Sequence, residues 1–287
     1  MVDEVSLICP TVGDGHSDKW WGELVMNTDF ALLKEIVIVW DSPEGLQEHI
    51  TCKNFDGKNG GGHGLAVRGG NPNFCEVPIR TLINPSPVGI SRAFNMGAAI
   101  ASGEYLCFLE DRVYVTKGWL TGLKKVLDAH PEYGWAAAYQ AENPNARFTS
   151  MCSLMRRGVF ESIGGFDEQF EVFDDADLVL RLRDKGFDPR GVEDIKVNHP
   201  EARTTTGALR GGRGSEQERA HFVEMGRRLL AKWGDRVRDP TVRCGCGQIA
   251  HIGVTKKYYD CPTCGQVILN RVVFEWGKMP SCRAGDL

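Results

Sequence analysis

Four cysteines near the C-terminus have a spacing typical of a metal site. One residue separates Cys244 from Cys246, two separate Cys261 from Cys264, and fourteen lie between the pairs. A glycine follows the second cysteine of each pair, which permits a tight turn with backbone amides pointing at sulfur. Four thiolates form a closed tetrahedral shell, so we predict a structural Zn²⁺ rather than a catalytic one. Two disulfides are the alternative, and a reducing compartment disfavours them.

Two groups of carboxylates offer a different chemistry. Glu110 and Asp111 follow an apolar run, and acids at the carboxyl end of a strand can hold a ribose hydroxyl or a divalent cation. Asp174, Asp175 and Asp177 open a second segment. Acids are also common in turns and at helix N-termini, where they complement the helix dipole, so neither group by itself identifies a site.

The segments that must position these groups alternate between strand and helix. Four apolar runs are predicted strands: residues 5–9 (stopped by Pro10), 35–40, 79–83 and 104–109. Residues 91–102 and 216–233 have helical patterns, and residues 19–33 can hold one or two helical segments. This alternation predicts an α/β fold with a doubly wound sheet, which binds ligands at the carboxyl ends of its strands.

The amino-acid composition excludes several classes of protein. With 42% apolar and 25% charged residues, the chain of 287 residues has the balance of a globular protein. No window reaches the ~18 uncharged apolar residues of a membrane span, and the N-terminus does not look like a signal peptide, so we expect a cytoplasmic protein without membrane insertion. Residues 1–199 carry a net charge of −10, and residues 200–287 carry +6. The basic region favours contact with a polyanion, unless it is only solvated surface.

The sequence resembles the inverting nucleotide-sugar glycosyltransferases of family 2, which have the GT-A fold, because many short motifs of that family occur here in the same order. The resemblance covers roughly residues 4–234. It is carried by Pro10-Thr11, Ile36-Val-Ile-Val-Trp-Asp-Ser42, Gly89-Ile-Ser-Arg-Ala-Phe-Asn-Met-Gly97, Phe108-Leu-Glu-Asp-Arg112, Gly164-Gly-Phe-Asp-Glu168, Asp174-Asp-Ala-Asp-Leu178, Val197-Asn-His-Pro200 and Lys232-Trp-Gly234. It implies a Rossmann-like mixed sheet and a domain of residues 1–234. A linker (235–243) and a zinc-ribbon module with its tail (244–287) would follow.

The resemblance also implies roles for individual residues. Asp175 matches the acid that deprotonates the acceptor hydroxyl, work that suits a modest base within hydrogen-bond reach. His199 matches a histidine that reaches the metal or the diphosphate. The implied donor-binding residues are Thr11, Asp41, Arg92, Asn95, Glu110, Asp111 and Arg112, joined by Arg210 and Arg213 from the glycine-rich segment 204–215, where relatives have a loop that closes over the donor.

Arg112 stands where the family usually has an aspartate that binds Mg²⁺ or Mn²⁺. A guanidinium group cannot ligate a metal, but it can pair with phosphate oxygens through its fork. Two interpretations stay open: Asp111 and His199 hold the divalent cation, or Arg112, Arg210 and Arg213 supply the positive charge instead. A third is that Arg112 points outward and the site is impaired.

The expected function is therefore transfer of a hexose from a nucleotide-sugar, with UDP the family's commonest nucleotide, to an acceptor hydroxyl. A basic zinc ribbon makes DNA a possible partner and a hydroxymethylated DNA base the favoured acceptor, although an enzyme would have to extrude such a base. An acceptor in capsule, lipid-linked glycan or protein is the alternative. The alternative of another class is a non-catalytic protein that binds nucleic acid.

Overall fold

The computed structural model describes residues 4–12, 17–41, 77–140, 150–199, 216–236, 241–247, 249–251 and 258–269. The described residues fall into two compact units. The first lies within Met1–Glu168 and Leu178–Ala202, and the second within Gln169–Asp177 and Arg203–Met279. None of the described helices is long and apolar enough to cross a bilayer.

The first unit is built on an eight-stranded sheet in the order β3-β2-β1-β4-β7-β6-β8-β5. Its strands are β1 (Val5–Thr11), β2 (Leu33–Trp40), β3 (Ile79–Ile83), β4 (Tyr105–Leu109), β5 (Tyr114–Val115), β6 (Tyr133–Gln140), β7 (Cys152–Arg156) and β8 (Asp188–Asn198). β1 to β4 pair in parallel, whereas β7 is antiparallel to both β4 and β6. The predicted α/β fold with a mixed, Rossmann-like sheet is confirmed.

The described residues of this part of the chain also form helices α1 (Ser17–Asn27), α2 (Ile90–Ile100), α3 (Trp119–Ala129), α4 (Arg157–Ser162) and α5 (Asp174–Asp184), whose first turn falls in the second unit. Alternate side chains of the central strands point to opposite faces of the sheet. Leu7, Cys9 and Ile38 join a cluster with residues of α1 and α3. On the other face, Phe94 of α2 packs edge-to-face against Phe108 of β4, with ring centroids 5.2 Å apart. Both faces are therefore covered, as a doubly wound sheet requires.

Pro10 does not stop the first strand. β1 continues to Thr11 and pairs with β2 as far as Trp40, while its pairing with β4 ends at Ile8. Pro10 thus lies where the strand has a partner on only one side, and a residue without an N–H group is tolerated there.

In the second unit, the described residues form one long helix and two hairpins. Helix α6 runs from Glu216 to Trp233, as the periodicity predicts. Strand β9 (Thr241–Arg243) pairs with β10 (Ile249–His251), and β11 (Tyr258–Asp260) pairs with β12 (Val267–Leu269). β9 begins inside the segment predicted as a linker, and α6 belongs to the same unit as the hairpins.

Candidate functional site

Most of the predicted donor-binding residues follow strands that run in one direction. Thr11 ends β1, Asp41 follows β2, Glu110 follows β4 and His199 follows β8. β8 is parallel to β6, which is antiparallel to β7, which is antiparallel to β4, so β8 has the direction of β4. The carboxyl ends of these strands therefore meet at one edge of the sheet, where open α/β sheets bind ligands. We call Thr11, Asp41, Glu110, Asp111, Arg112 and His199 the strand-edge site.

Asp41 organises the chain that leads into α2. Its buried carboxylate accepts hydrogen bonds from the side-chain amide of Asn84 at 2.9 Å, from the N–H of Val88 at 2.8 Å and from the N–H of Gly89 at 3.1 Å. Its own N–H donates to the carbonyl of Thr11 at 2.7 Å. Asp41 therefore ties β1, β3 and α2 together, a structural role that sequence reasoning missed. Its contact with the donor stays a prediction.

Two α2 residues contact the turn that follows α4. The Asn95 amide donates to the carbonyl of Phe166 at 2.8 Å, and its oxygen accepts from the N–H of Phe166 at 2.9 Å. Gly165 has φ of 74°, and a Cβ there would lie 2.7 Å from the Asn95 oxygen, so only glycine fits. Glu168 contacts both Asn95, at 3.1 Å, and Arg92, at 3.8 Å from Nε. Glu168 was missed, although it lies in a motif that the resemblance used.

Asp111 is held between a hydroxyl and a guanidinium group. Thr11 Oγ1 donates to Asp111 Oδ2 at 2.8 Å, and Arg112 Nε lies 3.7 Å from Oδ1. Thr11 and Asp111 are one hundred residues apart, and the pairing of β1 with β4 brings them together. Beside them, the N–H of Glu110 donates to the carbonyl of Met151 at 2.9 Å.

Arg112 has an unusual backbone and a buried side chain. Its φ is 65°, in the left-handed region, and only 7% of its surface is exposed. Among the described residues, Phe173 is the other non-glycine residue with positive φ. Such conformations cost of order 1–2 kcal/mol each and cluster at functional sites. The interpretation in which Arg112 points outward is wrong, because its side chain is buried inside the fold.

His199 lies beside the acidic turn because of strand pairing. Tyr114 of β5 pairs with Asn198 of β8 in the antiparallel register, which places the residue before Tyr114 next to His199. Burial and the positive charge of Arg112 lower the pKa of His199. This shift favours the neutral imidazole, the form in which histidine ligates metals.

In the second unit, Asp175 lies in the first turn of α5. It is partly accessible to solvent, yet burial of its carboxyl group and the charge of Asp174 raise its pKa to about 7. The N–H of Ala176 donates to Asp175 Oδ1 at 2.7 Å, which favours the ionised form without cancelling the rise. A carboxylate with a pKa near neutrality suits a general base. Phe173, at φ 69°, precedes this turn.

Helix α6 holds the same turn through Asp177, whose side chain is fully buried. Lys232 Nζ lies 2.6 Å from Asp177 Oδ1, and Trp233 Nε1 donates to the same oxygen at 2.8 Å. Phe222 packs against Phe173 with ring centroids 4.8 Å apart. The Lys-Trp-Gly motif at the end of α6 therefore anchors the segment that carries Asp175, a function that the sequence did not predict.

The four clustered cysteines converge as the spacing predicts. Their Sγ atoms all lie within 4.8 Å of one another, with Cys244 and Cys264 separated by 3.4 Å and Cys246 and Cys261 by 3.7 Å. A tetrahedral zinc ion with bonds of about 2.3 Å requires sulfur atoms roughly 3.8 Å apart. The donor set and its spacing therefore fit zinc.

Both cysteine pairs lie in glycine-closed turns. The N–H of Gly247 donates to the carbonyl of Cys244 at 2.9 Å, and the N–H of Gly265 donates to that of Cys261 at 2.8 Å; both glycines have positive φ. Burial raises the pKa of Cys261, but backbone amides of Cys264 and Thr263 and the neighbouring thiols outweigh it and lower the pKa to about 6. We call residues 241–269 the cysteine module.

Three predicted features lie outside the described residues. They are Arg210 and Arg213, the glycine-rich segment 204–215 that contains them, and Cys282. The involvement of both arginines in donor binding stays a prediction.

Comparison with known proteins finds similarity over the middle of the chain. Residues 74–180 match the family model "Glycosyl transferase family 2", a segment that includes Arg92, Asn95, the Glu110–Arg112 turn and Asp175. Forty residues, 14% of the chain, are 56% identical to the "O-antigen biosynthesis protein RfbC" of Myxococcus xanthus and correspond to 3% of that protein.

Solved structures share the fold. The mannosyltransferase PcManGT from Pyrobaculum calidifontis, solved with GDP-Man and Mn²⁺, superposes with a TM-score of 0.56 and 15% identity over 79% of this chain and 64% of that protein. GalNAc-T7, solved with UDP, GalNAc and Mn²⁺, gives a TM-score of 0.57 and 14% identity over 81% of this chain and 48% of that one. The chain thus spans less than two thirds of the length of each of these relatives. These likenesses confirm the GT-A fold.

Proposed function

We propose that this protein is an inverting glycosyltransferase that moves a hexose from a nucleotide-sugar, preferably a UDP-sugar, to an acceptor hydroxyl. The match of residues 74–180 to glycosyl transferase family 2 carries the proposal. The strand-edge site supports it, because a GT-A sheet binds its ligand where Thr11, Asp41 and Asp111 lie.

In this reaction Asp175 takes the acceptor proton. The acceptor oxygen forms a bond to the anomeric carbon while the bond from that carbon to the diphosphate breaks, and the electron pair leaves with the phosphate oxygen. The configuration inverts because attack and departure occur on opposite sides of the carbon. A pKa of about 7 places Asp175 near the value at which a general base is most effective at neutral pH.

Nucleotide-sugar turnover tests the proposal. The protein is incubated with a panel of UDP- and GDP-sugars, and released UDP or GDP is measured by chromatography. We expect slow hydrolysis of one donor by the wild type and its loss in Asp175→Asn. Asp184→Asn, at the exposed opposite end of the same helix, is the matched control and should leave turnover unchanged. Donor binding without turnover, unaffected by Asp175→Ala, would support the non-catalytic alternative.

The acceptor has two candidates, each favoured by one observation. The net charge of +6 over residues 200–287 favours DNA, and hence a hydroxymethylated base, which presents a primary alcohol. The 40-residue similarity to a protein named for O-antigen biosynthesis favours a glycan acceptor.

A paired acceptor assay separates these candidates. Duplex DNA with and without 5-hydroxymethylcytosine is compared with lipid-linked and polysaccharide acceptors, and products are weighed by mass spectrometry. Addition of a hexose to the modified duplex alone would assign the DNA base. Transfer to the glycans alone would reject it.

We further propose that the cysteine module is a zinc ribbon in which Zn²⁺ replaces a hydrophobic core. Two hairpins of three-residue strands bury too little surface to fold alone, and metal binding supplies the missing free energy. Its contact with DNA would be electrostatic, so binding to a duplex should weaken steeply between 50 and 200 mM salt.

A further inference from the structure

The strand-edge site does not fit the divalent cation expected of the fold. Asp111 is the acid nearest the usual metal position, and both of its oxygens already face donors. Thr11 Oγ1 donates to Oδ2 at 2.8 Å, and Arg112 Nε lies 3.7 Å from Oδ1. A Mg²⁺ or Mn²⁺ ion prefers carboxylate oxygens that face it alone, whereas here one oxygen accepts a hydrogen bond from a hydroxyl and the other lies near a cation.

Charge argues in the same direction. A divalent cation bound to Asp111 would lie within a few ångströms of the Arg112 guanidinium group, and like charges at that distance repel strongly in a site partly shielded from water. A cation bound to Glu110 or His199 would meet the same charge, because the β5–β8 pairing and the acidic turn place both residues beside Arg112.

The burial and backbone conformation of Arg112 also indicate a specific role in the site. Its side chain is 8% exposed and its backbone is held at φ 65°. A flexible surface arginine would show neither feature, since burial costs a charged group its hydration and positive φ costs a side chain its preferred backbone. A guanidinium fork presents several parallel N–H donors, which match the oxygens of a phosphate.

We propose that Arg112 supplies the positive charge that stabilises the leaving diphosphate, and that donor binding and transfer proceed without a divalent cation. This inference rests on the proposed function. When the bond between the anomeric carbon and the diphosphate breaks, the electron pair moves to the terminal phosphate oxygen. Arg112 pairs with the charge that develops there, and the acceptor proton goes to Asp175.

Binding of UDP and GDP, measured by titration calorimetry, tests the inference without turnover. Each nucleotide is titrated into the full-length protein in EDTA and in Mn²⁺. We expect equal affinity, within about twofold, in the two buffers. Arg112→Met should weaken binding by about 10- to 100-fold, and Arg112→Lys should weaken it less, because lysine keeps the charge and loses the fork.

Arg190→Met is the matched control. Arg190 is as buried as Arg112 and also pairs with an aspartate, Asp188 at 3.0 Å, but it lies near the start of β8, at the end opposite His199. It should bind nucleotide like the wild type. Melting curves identify any variant that fails to fold, and Arg112→Asp is a second probe: binding should disappear in EDTA and return with Mn²⁺.

Two results would overturn the inference alone: binding that requires Mn²⁺ in the wild type, or unchanged binding by a folded Arg112→Met protein in EDTA. The proposed transferase would survive both. Failure of the wild type to bind either nucleotide with or without Mn²⁺ would overturn the inference and the proposed function together.

Discussion

The strand-edge site and the cysteine module assemble their polar side chains in different ways. At the strand edge, side chains one hundred residues apart, such as Thr11 and Asp111, meet because β1 and β4 are neighbours in a buried sheet. In the cysteine module the four sulfur atoms come from twenty-one consecutive positions, 244–264, and two local turns aim them. The first arrangement depends on a hydrophobic core, and the second, if the proposed zinc ribbon is correct, depends on an ion.

Removal of zinc should give the largest difference in stability between the two regions. Zinc binding contributes on the order of 10 kcal/mol or more to the folding of such modules, so a strong chelator or Cys261→Ser should unfold the cysteine module. The sheet of the first unit should keep its melting transition. Zinc content measured by mass spectrometry, together with amide spectra, follows both regions.

Cys282→Ser is the control for this experiment, since Cys282 is not one of the four clustered cysteines. It should retain one zinc per chain. A Cys261→Ser protein whose cysteine module stays fully folded without metal would show that this module does not depend on zinc.

Replacement of the proposed base, Asp175, should lower the transfer rate while both units stay folded. Asp175→Asn should lower the transfer rate by about 10²- to 10⁴-fold, because it removes general-base catalysis. Its pKa in the folded protein, about 7, lies above the usual value for an aspartate, so the neutral form favours folding at low pH and that stabilisation is lost as pH rises through 7. Relative to the wild type, Asp175→Asn should therefore gain thermal stability above pH 7.

The pH profile of turnover provides a milder version of the same test. Asp175 must be ionised to accept a proton, so kcat should fall as pH drops below about 7, close to tenfold per pH unit. Stopped assays between pH 5 and 8.5 measure this slope, with circular dichroism to exclude acid unfolding. A flat profile down to pH 5 would remove Asp175 from the role of base.

Asp41→Ala should destabilise the first unit by about 2–4 kcal/mol. The substitution leaves the buried amide of Asn84 and the partly buried N–H groups of Val88 and Gly89 without their acceptor. An unsatisfied buried donor costs about 1–3 kcal/mol, and a partly buried one costs less because water can reach it. Urea unfolding measures the loss. Asp29→Ala, which removes a single exposed acceptor for Ala31, is the control and should cost much less.

The smallest expected effect is that of Thr11. Thr11→Val keeps the shape of the side chain and removes its hydrogen bond to Asp111, so it should cost about 1 kcal/mol in unfolding free energy. Thr11→Ser retains the hydroxyl and should keep most of that stability. Equal losses for the two variants would show that the methyl group, rather than the hydrogen bond, matters.

Much of the fold and part of the site could be predicted from local patterns. Apolar runs placed β2 to β4, and helical periodicity placed α6 at residues 216–233. Pro10 was misjudged, because its tolerance depends on where the neighbouring strand β4 stops pairing. The contacts of Lys232 and Trp233 with Asp177 could not be predicted, because no local sequence pattern relates residues more than fifty positions apart.

The sequence by itself determined the cysteine cluster, because backbone geometry over a few residues decides where neighbouring sulfur atoms point. It also determined which strands end in acids. Only the tertiary structure decided what those acids do. Asp41 became a tether for α2, and Asp111 became the partner of Thr11 and Arg112, because strand order and register select the neighbours of each side chain.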